Sequence, residues 1–168
     1  VRRKWWLLLA ALAAWMALGR VTLGPAPTDS PTVTASTAQP QRIVSMAPDV
    51  TEILYALGLE QQIAAVTSDS DYPPATVSKP KAGTFWQPNV EAVIAVKPDL
   101  ILAQSFAQHR TLVQRLRRMG YPCMTFNIER LDDLFAAIET IGRKTGQPAA
   151  ATDLNTRLRD RLRRLQPR

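Results

Sequence analysis

One histidine, His109, and one cysteine, Cys123, are all that this chain offers to imidazole or thiol chemistry. A metal site built from His and Cys needs more of them than one each. The G-x-S-x-G elbow, the H-E-x-x-H pair, the Walker pattern and G-x-G-x-x-G are all missing from the sequence. Cys123 cannot close an intramolecular disulfide and is expected as a small buried apolar residue. His109 is expected on the surface of a helix start; a grip on a ligand is the alternative, because that helix follows a strand end. What the chain has instead is aromatics beside turns: Tyr72 in "DYPP", Phe85 and Trp86 in "GTFWQP", Phe106 in "SFAQ". Such rings present large apolar area with few rotors to freeze, which suits planar ligands. An aromatic beside a proline is also a common core plug, so Trp86 has two readings. Glu91, in a helix first turn, is stabilised by the helix dipole by roughly 0.3–1 kcal/mol, which is reason enough for an acid there.

The elements that must position these residues alternate. "RIVSM" (42–46) reads as a β-branched strand. Asp49 and Glu52 have capping-box spacing, and Ile53, Leu54 and Leu57 stripe a short helix that stops at Gly58. "IAAVTS" (63–68) is a second strand and "DYPP" (71–74) a turn. Asn89 caps a short helix with Val90, Val93 and Ile94 inward. "DLILAQ" (99–104) is a continuous apolar strand of the doubly buried kind. Leu112, Val113, Leu116 and Met119 stripe a helix ended by Gly120, and "CMTFNI" (123–128) is a fourth strand. Leu131, Leu134, Phe135, Ile138 and Ile141 stripe another helix, broken at Gly146-Gln147-Pro148. A last helix carries Leu154, Leu158, Leu162 and Leu165 along one narrow line, as a strut or connector does. The fold class is therefore α/β: a single Rossmann-like lobe, its parallel sheet flanked by helices, then a long helix. Ligands of such sheets sit at strand C-terminal ends. Four loops qualify: "MAPDV" (46–50), "SDSDYPP" (68–74), "SFAQ" (105–108) and "NIER" (127–130), joined by Trp86 on 83–89.

Residues 1–19 stand apart. Arg2-Arg3-Lys4 precede an apolar run from Trp5 to Leu18, shorter than the roughly 18 residues of a membrane span and close to the 7–15 of a signal peptide. A signal peptide or N-terminal anchor is expected, with a buried apolar helix as the alternative. Ala17-Leu18-Gly19 and Val33-Thr34-Ala35 are the candidate cleavage sites. Cys123 sits nowhere near the run, so the lipid-modified cysteine of a bacterial lipoprotein is not expected. Residues 20–40, rich in Pro, Thr, Ser and Ala, are expected as a disordered linker. The net charge of +7 is uneven: +3 over 1–40, +1 over 41–127 and +3 over 128–168. The globular part is nearly neutral, which argues against a nucleic-acid partner.

"RIVSMAPDVTEILYALGL", "DYPP", "KAGTFWQPNVEAVIAVKPDLILA" and "LDDLFAAIETIGRKTGQ" together resemble the iron-siderophore/vitamin B12 class of periplasmic substrate-binding proteins of ABC importers, the helical-backbone or class III receptors. The likeness spans about residues 41–165 and is strongest to cobalamin-binding members. It implies two α/β lobes joined by a long helix, with the ligand in the cleft between them. Residues 41–147 then correspond to the N-terminal lobe and 148–168 to a truncated connecting helix, the second lobe being missing from the sequence. It further implies a binding protein rather than an enzyme, extracytoplasmic and monomeric. The implied partner is the ABC permease of the cytoplasmic membrane. No resident cofactor or metal is expected; the implied cargo is a corrinoid (cobalamin) first, a ferric siderophore second and haem third. By the same resemblance Ala47, Pro48 and Asp49 match the first cleft loop, Tyr72 the cleft tyrosine and Trp86 the aromatic against the corrin. Ser105 and Phe106 belong to the third-strand loop, and Glu91 matches the carboxylate that docks on permease arginines. The alternative is a lone lobe that binds no small molecule and serves only as a docking module, or a non-functional fragment.

Overall fold

The computed structural model describes residues 39–165. The expected leader (1–19), the expected linker up to residue 38 and residues 166–168 lie outside them. The elements run β1 (Ile43–Ser45), α1 (Pro48–Ala56), β2 (Ile63–Val66), α2 (Val90–Ala95), β3 (Leu100–Gln104), α3 (Ala107–Arg118), β4 (Cys123–Phe126), α4 (Leu131–Lys144) and α5 (Pro148–Leu165). All four strands are parallel, in the order β2-β1-β3-β4. Asp99 joins the starts of the two central strands: just before β3, its carboxylate accepts from the N–H groups of Gln41 (2.7 Å) and Arg42 (2.9 Å), just before β1.

Side chains alternate across a strand, and here each alternate set enters a different core. Ile43, Leu100 and Leu102 join Val50, Ile53 and Leu54 of α1, Ile138 and Ile141 of α4 and Ala151 of α5. Val44, Ile101 and Ala103 join Val90 and Val93 of α2 and Leu112, Val113 and Leu116 of α3. All five residues of β3 are buried, as a strand covered on both faces requires. Met119 and Leu131, expected in helical stripes, are 47% and 54% exposed, because each sits at the very end of its helix.

Two caps turned out differently. Pro48 occupies the first turn of α1 with Ala47 as N-cap, and no side chain caps it, so the expected Asp49–Glu52 capping box does not form. Proline suits a position whose N–H would be unpaired anyway. Asn89 does cap α2, its Oδ1 accepting from Ala92 N–H at 3.0 Å. At the other end of the chain, Gly142 lets α5 lie against α4: a Cβ there would sit 2.4 Å from that of Ala151. Asn155 Nδ2 donates to the Phe135 carbonyl (3.0 Å) and the Arg159 guanidinium lies 4.1 Å over the Phe135 ring. Leu154 and Leu158 reach the core and Arg159 covers Phe135, while Leu165 is exposed, so the last residues of α5 run off the lobe.

Candidate functional site

The strand order makes a switch point. From β1 the chain crosses to β2 on one side, then returns to β3 on the other. Helix α1, leaving β1, packs on one face; α3, leaving β3, packs on the opposite face. Diverging connections open a crevice at the C-terminal ends of these two strands. Its floor is polar: Gln104, the last residue of β3, donates from Nε2 to Asp49 Oδ2, while Asp49 Oδ1 accepts from Val50 N–H at 2.8 Å. Above it lies an open hollow of about 400 Å³, walled by Pro48, Asp69, Phe85, Trp86, Phe106 and Ile128.

The aromatic wall is held by its backbone. Gly83 takes φ +91°, and a Cβ there would meet Asn89 N and Gln87 O, both at 2.6 Å. Only glycine fits that conformation without strain. Gly83 bridges Pro88, Thr84 N–H donates to Gln87 O (3.1 Å) and Gln87 N–H to Thr84 Oγ1 (2.9 Å), closing a tight turn with Phe85 and Trp86 at its tip. Ser68 N–H ties the turn to the β2 loop through Gly83 O at 2.9 Å. The Phe85 ring meets Trp86, Phe106 and His109 edge-on, at centroid distances of 5.0, 5.6 and 4.8 Å. Trp86 itself is 69% exposed: it stands at the rim and is no core plug.

Beneath the loops runs a buried chain of hydroxyls. Thr51 Oγ1 donates to Ser45 Oγ (2.8 Å), whose own hydroxyl donates to Ala47 O (3.0 Å); Ser70 Oγ lies 3.1 Å from Thr51 Oγ1 and 2.9 Å from Thr67 Oγ1. It links β1, α1 and the β2 loop, and so fixes Asp69 relative to Asp49. Buried polar networks of this kind rigidify a site when their members are paired.

Of the residues expected at a ligand wall, the structure brings together Pro48, Asp49, Trp86 and Phe106. Ala47 is fully buried in the apolar core, and its carbonyl accepts from Thr51 N–H at 3.0 Å; it does not line the hollow. Tyr72, exposed on the far part of the β2 loop, does not line the hollow. Ser105 donates its N–H to Phe126 O (2.8 Å) and opens onto a neighbouring polar groove with Arg110 and Arg117. Asp69, Gln104 and Ile128 line the hollow and were not singled out from sequence, although Asp69 and Ile128 lie within loops that were. Glu91 stands away from the hollow, exposed, 3.7 Å from Arg115. An ion pair this exposed contributes little.

His109 corrects a sequence expectation: it is fully buried and no surface residue, because its ring packs under Phe85 and its Nε2–H donates to the Phe85 carbonyl at 2.8 Å. Cys123, on the edge strand β4, is half-buried. Burial pushes its thiol up from the ordinary range, with Arg117 acting in the opposite sense. A second hollow of about 390 Å³, against α4 and α5, has no aromatic in its wall, and its Asp160 is paired with Arg163. Among the described residues no three His, Cys, Asp or Glu side chains cluster to hold a metal, and no helix is long and apolar enough to cross a membrane.

Residues 43–168 match the family described as periplasmic binding protein. The vitamin B12-binding protein of Pectobacterium carotovorum is 32% identical over 133 residues, which are 79% of this chain and 48% of that protein. The crystal structure of the periplasmic vitamin B12 binding protein BtuF of Vibrio cholerae superposes with a TM-score of 0.69 at 31% identity, covering 75% of this chain and 49% of that one. A periplasmic heme binding protein from Pseudomonas aeruginosa gives 0.69 at 28% identity over 74% of this chain and 45% of that one. The chain thus spans about half the length of the relatives it matches.

Proposed function

The chain belongs to the periplasmic binding protein family, and from that premise we propose that it supplies one wall of the ligand cleft of an ABC-importer substrate-binding component. The family is one of binding proteins, not of enzymes. We assign the hollow at the switch point to a planar macrocyclic cargo, a corrinoid first; the alternatives are a ferric siderophore, which is not planar, and haem. The observation that carries this is Trp86: a large indole, 69% exposed, held at the tip of a closed turn over an aromatic-lined hollow. Leaving such an area in water is unfavourable unless something covers it. The names of relatives on both sides, vitamin B12 and heme binders, support a flat tetrapyrrole-like ligand and favour the corrinoid by identity. Residues 41–147 form the lobe in this reading, and α5 serves as the connector to a second lobe. The protein works outside the cytoplasmic membrane as a monomer.

Cyanocobalamin titrated against the protein by equilibrium dialysis tests the cargo. Saturable binding at one site is the expected result; a single open wall holds a ligand less tightly than a closed pocket. No binding at the highest soluble cyanocobalamin concentration would reject the corrinoid assignment, and the same dialysis with haemin then decides for haem.

A docking role is assigned to Glu91, whose carboxylate is exposed and only loosely paired with Arg115. Glu91→Arg is expected to abolish association with the permease and leave cyanocobalamin binding intact. Loss of both would move Glu91 into the ligand site; a lobe that docks but never binds cyanocobalamin would favour the docking-module reading.

A further inference from the structure

Phe85 has no charge and no reactive group, yet its peptide is held from both sides. Its N–H donates to the Asp69 carboxylate at 2.5 Å, and its carbonyl accepts from His109 Nε2 at 2.8 Å. Asp69 belongs to the loop after β2 and His109 to the first turn of α3, after β3. The Trp86 turn is thereby tied to two loops that leave different strands.

His109 is fully buried, and its Nδ1 has no hydrogen-bond partner. A carbonyl only accepts, so Nε2 carries a proton, while Nδ1 is buried without a partner. Leaving a buried polar atom unmatched is unfavourable. A side chain chosen only to fill this space, such as Leu or Phe, would avoid that loss. The choice of histidine is therefore explained by its Nε2–H donor rather than by its volume.

We propose that His109 and Asp69 are positioning residues, which clamp the Phe85 peptide and so hold the Trp86 indole at the mouth of the hollow before a planar ligand arrives. The proposal rests on the ligand reading of that hollow. Its physical content is preorganisation: a wall already ordered does not have to be ordered on binding. His109 is buried behind the wall and need not touch the ligand, whereas Asp69 also lines the hollow, so the clamp is read from the ligand-free Trp86 signal rather than from affinity alone. The Phe85 ring transmits the constraint, since it contacts the His109 ring on one side and Trp86 on another.

The test uses the whole chain labelled with 5-fluorotryptophan. Four tryptophans are present, at 5, 6, 15 and 86, and Trp86→Phe identifies the resonance of residue 86. His109→Gln keeps an N–H donor within reach of the Phe85 carbonyl, His109→Leu removes it, and Asp69→Ala removes the other clamp from an exposed loop. In the absence of ligand, His109→Leu and Asp69→Ala are expected to shift or broaden the Trp86 signal, while His109→Gln stays near wild type. Cyanocobalamin affinity should fall roughly ten-fold in the first two, as for one lost hydrogen bond. A Trp86 signal unchanged in Asp69→Ala and His109→Leu would overturn the proposal. So would a His109→Gln signal displaced as far as that of His109→Leu, which would make shape the cause. Should His109→Leu not fold, Asp69→Ala and His109→Gln decide by the same criteria. The fluorine signal is read without ligand, so a wild-type protein that binds no cyanocobalamin refutes the cargo assignment and leaves this readout standing.

Discussion

Replacing Trp86 by alanine separates a ligand wall from a core plug, because the two roles predict opposite patterns of loss. The indole is 69% exposed and meets the Phe85 ring edge-on at 5.0 Å. Truncating such a residue is expected to cost stability only about 0.5–1 kcal/mol, against about 3–5 kcal/mol for a buried tryptophan. Binding should suffer more. If about 200 Å² is the area of the side chain, a flat ligand on one face covers about 70 Å² of the exposed part and loses a like area of its own. At about 25 cal/mol per Å² this stacking is worth up to about 3.5 kcal/mol, and after imperfect fit about 2 kcal/mol, or ~30-fold in Kd. The assay pairs urea denaturation with equilibrium dialysis against cyanocobalamin, since intrinsic fluorescence would lose its own reporter. A large loss of stability in Trp86→Ala would refute the exposed-wall geometry. Unchanged stability with unchanged cyanocobalamin affinity would refute the role given to the indole.

Gly83→Ala should damage the same turn from within. The added Cβ meets backbone atoms of Asn89 and Gln87 at a positive φ, so a loss of more than about 1 kcal/mol on denaturation and a matching loss of cyanocobalamin binding are expected. Thr51→Val keeps the side-chain shape but removes the central hydroxyl between Ser45 and Ser70; about 1–3 kcal/mol should be lost, measured by the urea midpoint at constant slope. Burial holds the Cys123 thiol above its ordinary pKa, so it stays protonated to higher pH. Iodoacetamide should alkylate it more slowly than a free thiol near pH 8, with the rate still climbing past pH 9, because the thiolate is the nucleophile.

The sheet could be read from the sequence because its signals are local. The unbroken run Leu100–Ala103 required cover on both faces, and the helix stripes of Val90 and Val93 and of Ile138 and Ile141 supplied it. The loops at strand ends followed from the alternation of elements. The pairing of those loops did not, because it depends on strand order: Gln104 bonds Asp49 across 55 residues. The same distance effect hid His109. Its partner is a backbone carbonyl 24 residues away, which leaves no trace in residue type. Tyr72 and Ser105 share loops with residues that line the hollow, but Tyr72 is exposed outside its lining and Ser105, between Gln104 and Phe106, opens onto the neighbouring groove. At α1 a local rule competed with another: Pro48 at the first turn displaced the start that Asp49 and Glu52 suggested.

The central claim is that the hollow between the β1 and β3 loops takes a planar ligand on the Trp86 face. Amide and indole N–H shifts of the isotope-labelled protein, followed while cyanocobalamin is added, address it directly. The account predicts that the largest changes fall on the Trp86 indole N–H and on the amides of Phe85, Phe106 and Ile128, with α5 nearly silent. Changes centred on α4 and α5, with the Trp86 indole unmoved, would contradict it.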